Sequence, residues 1–139
     1  MQRARPGGVE IDDDPGRIDV AAVHRYLAGE SNWASGRSFE TVERLVREAS
    51  RVVGLYHDGA LVGFARAVSD GVAVAYLADV YVLPGYRGQG LGEELVREIV
   101  ERGELANVRW LLHTRDAHAL YAKVGFGRPS ERLMERPIG

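Results

Sequence analysis

Hydrophobic side chains recur at helical spacing in two early segments of the chain. The first segment runs from Ile18 to Leu27 and ends at Gly29, and the second places Val42 and Val46 on one face after Ser38. An apolar side chain every three to four residues indicates a helix with one buried face, and serine is a favoured N-cap. We therefore predict two amphipathic helices, joined by a loop over residues 30–37 and preceded by a short strand over residues 9–11.

The period then changes from about 3.6 to 2, which indicates strands. Residues 52–56, 61–68 and 73–82 are rich in β-branched and aromatic side chains, and turn sequences separate them at residues 57–59 and 70–71. Short turns between such segments favour antiparallel pairing of consecutive strands. This part of the chain is predicted to form a three-stranded meander.

The last third alternates helix and strand. An apolar stripe from Leu91 to Val100 predicts a third helix, residues 108–114 a strand, residues 116–123 a short helix and residues 132–135 a final strand. This order predicts an α+β (mixed α/β) fold in one domain over residues 9–139. Residues 1–8, rich in Arg, Gly and Pro, are predicted to be a flexible N-terminus.

Composition narrows the class of protein. The chain has 139 residues, of which 45% are hydrophobic and 27% charged, and its net charge is −2. These values are typical of a globular domain. A slightly acidic domain is not suited to binding the phosphate backbone of a nucleic acid. No run approaches the roughly 18 apolar residues of a membrane span, and the N-terminus lacks the apolar core of a signal peptide, so we expect a cytoplasmic protein without a membrane partner. The absence of cysteine excludes a thiolate zinc site and an acyl-cysteine intermediate.

A glycine-rich turn links the third predicted strand of the meander to the third helix. Its glycines stand at positions 85, 88, 90 and 92, with Arg87 among them. Uncovered backbone N–H groups at the positive end of a helix dipole favour a pyrophosphate, although such glycines also serve tight turns alone. A dinucleotide fingerprint does not fit because Glu93 stands where its third glycine would be, and no Lys-Ser/Thr follows for a P-loop.

Three blocks in this order resemble the GNAT superfamily of N-acetyltransferases. The turn matches the coenzyme A-binding pattern Arg/Gln-x-x-Gly-x-Gly/Ala, the strand before it leads into Pro84, and residues 117–126 match A-x-x-L-Y-x-K-x-G-F. The resemblance implies a central, mostly antiparallel twisted sheet that is splayed at the acetyl-CoA site and flanked by helices. It makes a homodimer plausible. No metal is expected, because the spacing of His113 and His118 is not that of the zinc motif HExxH.

The resemblance also implies which residues hold acetyl-CoA. The pantetheine arm is expected along the backbone of Val80, Tyr81 and Val82, where an amide polarises the thioester carbonyl. The expected pyrophosphate ligands are Arg87, Gly88, Gln89, Gly90, Leu91 and Gly92. Thr114 stands where many members carry an asparagine that contacts the cofactor, and a hydroxyl can form a similar bond.

Tyr121 and Asp79 are the expected catalytic residues. Tyr121 stands where the family often has a tyrosine that protonates the departing thiolate, and a phenol pKa of about 10 suits that proton transfer. The alternative is a core aromatic. Asp79 is the first candidate for the base, either through water or by holding a cationic amine, with His113 and His118 as alternatives.

The resemblance further implies that the acceptor lies beside the loop between the first two helices. That location selects Trp33 and Arg37 from the loop and Arg66 and Asp70 from the meander. Aspartates favour a cationic amine and arginines a carboxylate-bearing one, and both remain open.

The chain is therefore predicted to be an acetyl-CoA-dependent N-acetyltransferase that transfers acetyl directly to a primary amine of a small molecule or peptide. The alternatives are a non-catalytic acyl-CoA-binding or regulatory module and an interaction domain that merely contains the glycines.

Overall fold

A six-stranded sheet follows the order of the chain. The computed structural model describes residues 2–138, and its strands are β1 (Gln2–Ala4), β2 (Val9–Asp12), β3 (Arg51–His57), β4 (Ala60–Ser69), β5 (Val74–Val82) and β6 (Arg109–Leu112). Neighbouring strands pair antiparallel from β1 to β5, whereas β5 and β6 pair parallel. The predicted mixed α/β fold with a mostly antiparallel sheet is confirmed.

Four helices accompany the sheet: α1 (Val20–Gly29), α2 (Phe39–Glu48), α3 (Leu91–Glu101) and α4 (His118–Ala122). The Asp19 carboxylate accepts the Ala22 N–H and the Ser38 hydroxyl accepts the Thr41 N–H, so side chains cap α1 and α2. Among residues 2–138, no helix combines the length and the apolar character that crossing a bilayer requires.

Both faces of the sheet are buried in hydrophobic cores. One core contains Leu55 together with Leu95 and Ile99 of α3, and the other contains Phe64 together with Leu27 and Val42 of α1 and α2. Burial on both faces explains why β4 has an almost unbroken run of buried residues instead of strict alternation.

The two ends of the chain differ from the sequence predictions. Gln2–Ala4 lies within the segment predicted to be flexible but forms β1, in which Arg3 pairs with Ile11 in register and its Nε atom lies 3.0 Å from Glu98 Oε1. A paired backbone and an ion pair to a buried carboxylate hold this short segment.

The strand predicted over residues 132–135 is wrong, since these residues form no strand. Leu133 is 51% and Met134 91% exposed, so the segment has no buried face to stabilise pairing. The predicted strand at residues 108–114 is confirmed only as the shorter β6.

Candidate active site

The site begins where two strands separate. Pairing between β5 and β6 runs from Val74 opposite Arg109 to Leu77 opposite Leu112 and stops there, while β5 continues to Val82. The last five residues of β5 therefore have β4 on one side and no strand on the other. This opening is the splayed sheet that the resemblance implies.

A bulge coincides with the opening. The register between β4 and β5 shifts between Phe64 and Arg66, and on β5 Asp79 has a φ of 55°. A left-handed conformation is unfavourable for a residue with a Cβ and persists only where its surroundings hold it. The contacts of the Asp79 side chain supply that restraint.

Three side chains bind the Asp79 carboxylate. The Trp33 indole Nε1 donates to Oδ1 at 2.9 Å, Arg37 Nη1 donates to both oxygens at 3.0 Å, and Arg66 Nε donates to Oδ2 at 2.6 Å. Burial alone would raise the pKa of Asp79, but the charges and hydrogen bonds of Arg66 and Arg37 outweigh it and lower that pKa. The carboxylate is therefore a fixed anion.

A cleft of about 640 Å³ lies between the separated strands. Its lining includes seven of the predicted site residues: Trp33, Arg37, Arg66, Asp79, Val80, Thr114 and Tyr121. The volume falls within the range of about 300–1,000 Å³ that is usual for small-molecule sites. Trp33 is 47% exposed even though its indole N–H is bonded, so the rest of its ring is available to a ligand.

Two further cleft residues carry no motif in the sequence. Tyr76 lies on β5 and its phenol hydrogen-bonds His113 Nδ1, while Arg115 follows β6. Their proximity follows from the parallel pairing of β5 with β6. The sequence predicts both strands without predicting that they are adjacent, so no local signal could have assigned these residues to the site.

Tyr121 reaches the cleft from α4 and is otherwise buried. The Thr114 hydroxyl accepts the Ala117 N–H at 3.0 Å just before this helix, so Thr114 helps to position α4. Burial is the main cause that raises the pKa of Tyr121 to about 12, and the nearby Asp116 charge adds to it. The phenol is therefore protonated at neutral pH.

The glycine-rich turn is open above its backbone. Gly88 and Gly90 both have a φ of 78°, which glycine adopts without strain, and a Cβ added at either would meet no atom within 4 Å. In the described residues, no side chain caps the start of α3, so its first N–H groups remain available. These features fit a pyrophosphate held by backbone N–H groups.

Gln89, Leu91 and Gly92 complete the predicted pyrophosphate ligands. Gln89 is exposed, Leu91 is a buried core residue, and Gly92 lies where an added Cβ would be in ordinary contact with Leu120 of α4 at 3.7 Å. Any contact that Leu91 makes to a phosphate must therefore come from its backbone N–H.

Arg87 has partners within the protein. Its Nε donates to the Val82 carbonyl at 2.9 Å, and its Nη2 donates to the Tyr26 hydroxyl at 2.9 Å. Tyr26 stacks on Tyr81 with ring centroids 4.0 Å apart. Arg87 thus connects the glycine-rich turn to the end of β5 and to α1.

Tyr81 and Val82 are buried, so any contact that they make to a ligand must come from their backbones. Asp70, by contrast, does not line the cleft. Its carboxylate accepts the backbone N–H groups of Val72, Ala73 and Val74 at 2.9, 2.8 and 3.2 Å. These bonds, that of Ala73 first, lower its pKa and stabilise the turn before β5.

A mostly antiparallel sheet that opens between two parallel strands beside a glycine-rich helix start defines an acyltransferase fold. The chain belongs to the acetyltransferase (GNAT) family, whose model matches residues 20–126. The resemblance noted in the sequence is thereby confirmed.

Two crystal structures and one curated sequence illustrate the relationship. A protein from Xanthomonas campestris pv. campestris that belongs to the GNAT family is 36% identical, with a TM-score of 0.88, and the match covers 94% of this chain and 93% of that one. N-acetylglutamate synthase from Neisseria gonorrhoeae, complexed with coenzyme A and N-acetyl-glutamate, is 26% identical, with a TM-score of 0.69 over 94% of this chain and 31% of that one.

The curated relative is the uncharacterized N-acetyltransferase ycf52 of the alga Pyropia yezoensis. It is 29% identical over 96 residues, which cover 65% of this chain and 55% of the algal protein. The chain therefore spans about half the length of this relative.

Proposed function

We propose that the chain is an acetyl-CoA-dependent N-acetyltransferase that transfers acetyl directly to a primary amine of a small molecule or peptide. The observation that carries the proposal is the meeting of the unpaired end of β5 with the protonated phenol of Tyr121 in one cleft. The open glycine-rich turn at the start of α3 supports it.

The residues that would hold acetyl-CoA lie on β5 and at the start of α3. Residues 80–82 have no strand on the β6 side, so the backbone groups that bond neither to β4 nor to Arg87 can bind an extended polar arm as an added strand does. The N–H groups of residues 88–92 can bind the pyrophosphate. Bound acetyl-CoA would supply the acetyl group as an activated thioester. In the overall exchange the C–N bond forms and the C–S bond breaks. The acceptor ammonium gives up two protons, one of which balances the CoA thiol while the other goes to solvent.

We assign to Tyr121 the donation of a proton to the departing thiolate. Its hydroxyl is protonated at neutral pH because burial raises its pKa to about 12. A general acid of this kind contributes about 10²- to 10⁴-fold to a rate.

Asp79 has a different role from that of a base. Its carboxylate is already bound by Trp33, Arg37 and Arg66, and its pKa is lowered, so it has little tendency to accept a proton. We assign it the positioning of these three side chains along the acceptor side of the cleft.

The first test is calorimetric titration with acetyl-CoA and with CoA, followed by a panel of primary amines. The protein has no cysteine, so a thiol reagent reports only released CoA. Binding in the micromolar range together with amine-dependent thiol release is the expected result. Binding without turnover on any amine would favour a non-catalytic module, and folded protein that binds neither compound would contradict the proposal.

A further inference from the structure

The acceptor side of the cleft carries an excess of positive charge. Arg37 and Arg66 share a single carboxylate, that of Asp79, with N–O distances of 3.0 and 2.6 Å. One carboxylate balances only one of two guanidinium groups, which are permanently charged. This group of three side chains therefore carries a net charge of about +1.

Other ionisable groups of the lining do not remove this excess. Arg115 and Asp116 are exposed neighbours of opposite charge. His113 hydrogen-bonds Tyr76 through Nδ1, and Glu135, whose carboxylate contacts its Nε2, is exposed and does not line the cleft. Of the three aspartates that favour a cationic amine on sequence grounds, Asp70 lies outside the cleft, Asp79 is bound by two arginines, and Asp116 lines the cleft next to Arg115. A polyamine-like acceptor would therefore meet net repulsion.

Arg37 has free donors that can reach a ligand. Its Nη1 serves Asp79, while its Nε and Nη2 atoms have no hydrogen-bond partner among residues 2–138. The Arg37 side chain is 27% exposed, whereas that of Arg66 is 10% exposed, so Arg37 presents the accessible donors and Arg66 adds charge behind it.

These groups are held in place before any ligand arrives. The bulge fixes the Asp79 backbone, and Asp79 in turn orients Arg37 beside the half-exposed ring of Trp33. A planar guanidinium held in one orientation matches a carboxylate with two parallel hydrogen bonds, and its preorganisation lowers the entropy cost of binding.

We propose that the acceptor is an α-amino acid-like compound, a primary amine with a carboxylate close to it. Arg37, backed by Arg66, binds that carboxylate. Trp33 provides an apolar wall for the rest of the molecule. This inference rests on the proposed function and names the substrate class of the same cleft.

The experiment compares each acceptor with its uncharged counterpart. Glycine, L-leucine, L-phenylalanine, L-glutamate and L-lysine are each tested as the free acid and as the α-amide by thiol release with acetyl-CoA. For the preferred side chain, kcat/KM for the acid should exceed that for the amide by about tenfold or more, as expected for a charged hydrogen bond. In parallel, protein saturated with CoA is titrated with the same compounds and its melting temperature recorded, so binding is measured without turnover.

One variant tests the role of Arg37, and a second variant serves as its control. Arg37→Gln leaves Asp79 paired with Arg66, so the fold should be retained, and it should bring the acid-to-amide ratio close to one. Arg47→Gln also removes one arginine, but on the exposed face of α2, where its ion pair is with Glu43, and it should leave the ratio and the rates unchanged.

The outcomes separate this inference from the proposed function. Equal turnover of acids and amides, or an acid preference that survives Arg37→Gln, overturns the inference and leaves the acetyltransferase standing. No turnover of any amine, with Arg37-dependent binding of the acids, supports the carboxylate site and removes the proposed function. Neither turnover nor binding of any acid overturns both.

Discussion

Tyr121 and Tyr56 are two buried phenols in different parts of the molecule. Burial raises the pKa of each to about 12, yet only Tyr121 lines the cleft. Tyr121→Phe should lower kcat by about 10²-fold, since a general acid is lost, and leave the affinity for acetyl-CoA nearly unchanged. Initial rates and calorimetry would measure the two effects separately.

Tyr56→Phe is the matched control for that substitution. The Tyr56 hydroxyl is buried and has no hydrogen-bond partner among the described residues, and the Arg17 guanidinium lies 3.8 Å from the ring centroid. Removing an unpaired buried hydroxyl should leave kcat unchanged and stability equal or slightly higher. Similar losses of kcat in both variants would argue that Tyr121 is only a core aromatic.

The ionised carboxylate of Asp79 contributes to the free energy of unfolding. Because its pKa is lowered in the folded state, it stabilises the fold at pH values above its unfolded pKa of about 3.9, and this contribution is lost as the pH falls through its folded pKa. Asp79→Asn leaves Arg66 buried without its counter-ion and should lower the free energy of unfolding by about 3 kcal/mol near neutral pH.

The pH dependence of the free energy of unfolding tests the role of Asp79 more directly than the stability at a single pH. Urea unfolding of the wild type should show stability falling below about pH 4, and the Asp79→Asn protein should show a shallower fall over the same range. Parallel curves for the two proteins would mean that the ion pairs contribute nothing to acid sensitivity.

Two glycines of the glycine-rich turn differ in backbone conformation and therefore in their expected effect on acetyl-CoA binding. Gly90 has a φ of 78°, so Gly90→Ala strains the backbone and displaces the N–H groups at the start of α3, and the affinity for acetyl-CoA should fall by about tenfold or more. Gly85 lies in the preceding turn without a positive φ, and an added Cβ there meets no atom within 4 Å. Gly85→Ala should bind acetyl-CoA normally, and calorimetry with both variants measures the difference.

Elements whose stability is local could be predicted from sequence, whereas those that depend on distant partners could not. The helix with Ser38 as its cap and the strand that ends before Pro84 follow from periodicity and turn chemistry. The strand Gln2–Ala4 depends on β2 and on Glu98, which is 95 positions away from Arg3. No local pattern encodes such a partner.

The same distinction applies to the candidate site. The motif correctly indicated the turn at the start of α3, and the resemblance placed Tyr121 in the cleft. The strand position of Asp79 makes it a candidate for a base that acts through water or for a group that holds a cationic amine, but does not predict its partners. Its bonds to Arg37 and Trp33 span 42 and 46 positions, and they exist only because the bulge turns this side chain toward the loop after α1.

For the whole molecule, the sheet separates two cores and opens at one end. Strands β3 and β4 are buried on both faces, so they form the rigid centre of the fold. The cleft lies where the pairing of β5 with β6 ends, and its lining on β5 runs from Tyr76 to Val80. Tyr121 belongs to the core that contains α3 and also lines the cleft, so the cleft is directly attached to that core.

The separation of β5 from β6 leaves a strand edge unpaired inside a folded domain, which hydrogen–deuterium exchange can detect. Amides of residues 80–82 that do not bond to β4 should exchange much faster than those of residues 54–57 of β3, which lie between β2 and β4. Saturating CoA should slow exchange on β5 and leave β3 unchanged, and slow exchange on β5 without ligand would contradict an open edge. Exchange on this strand thus reports occupancy of the site before any acceptor amine has been identified.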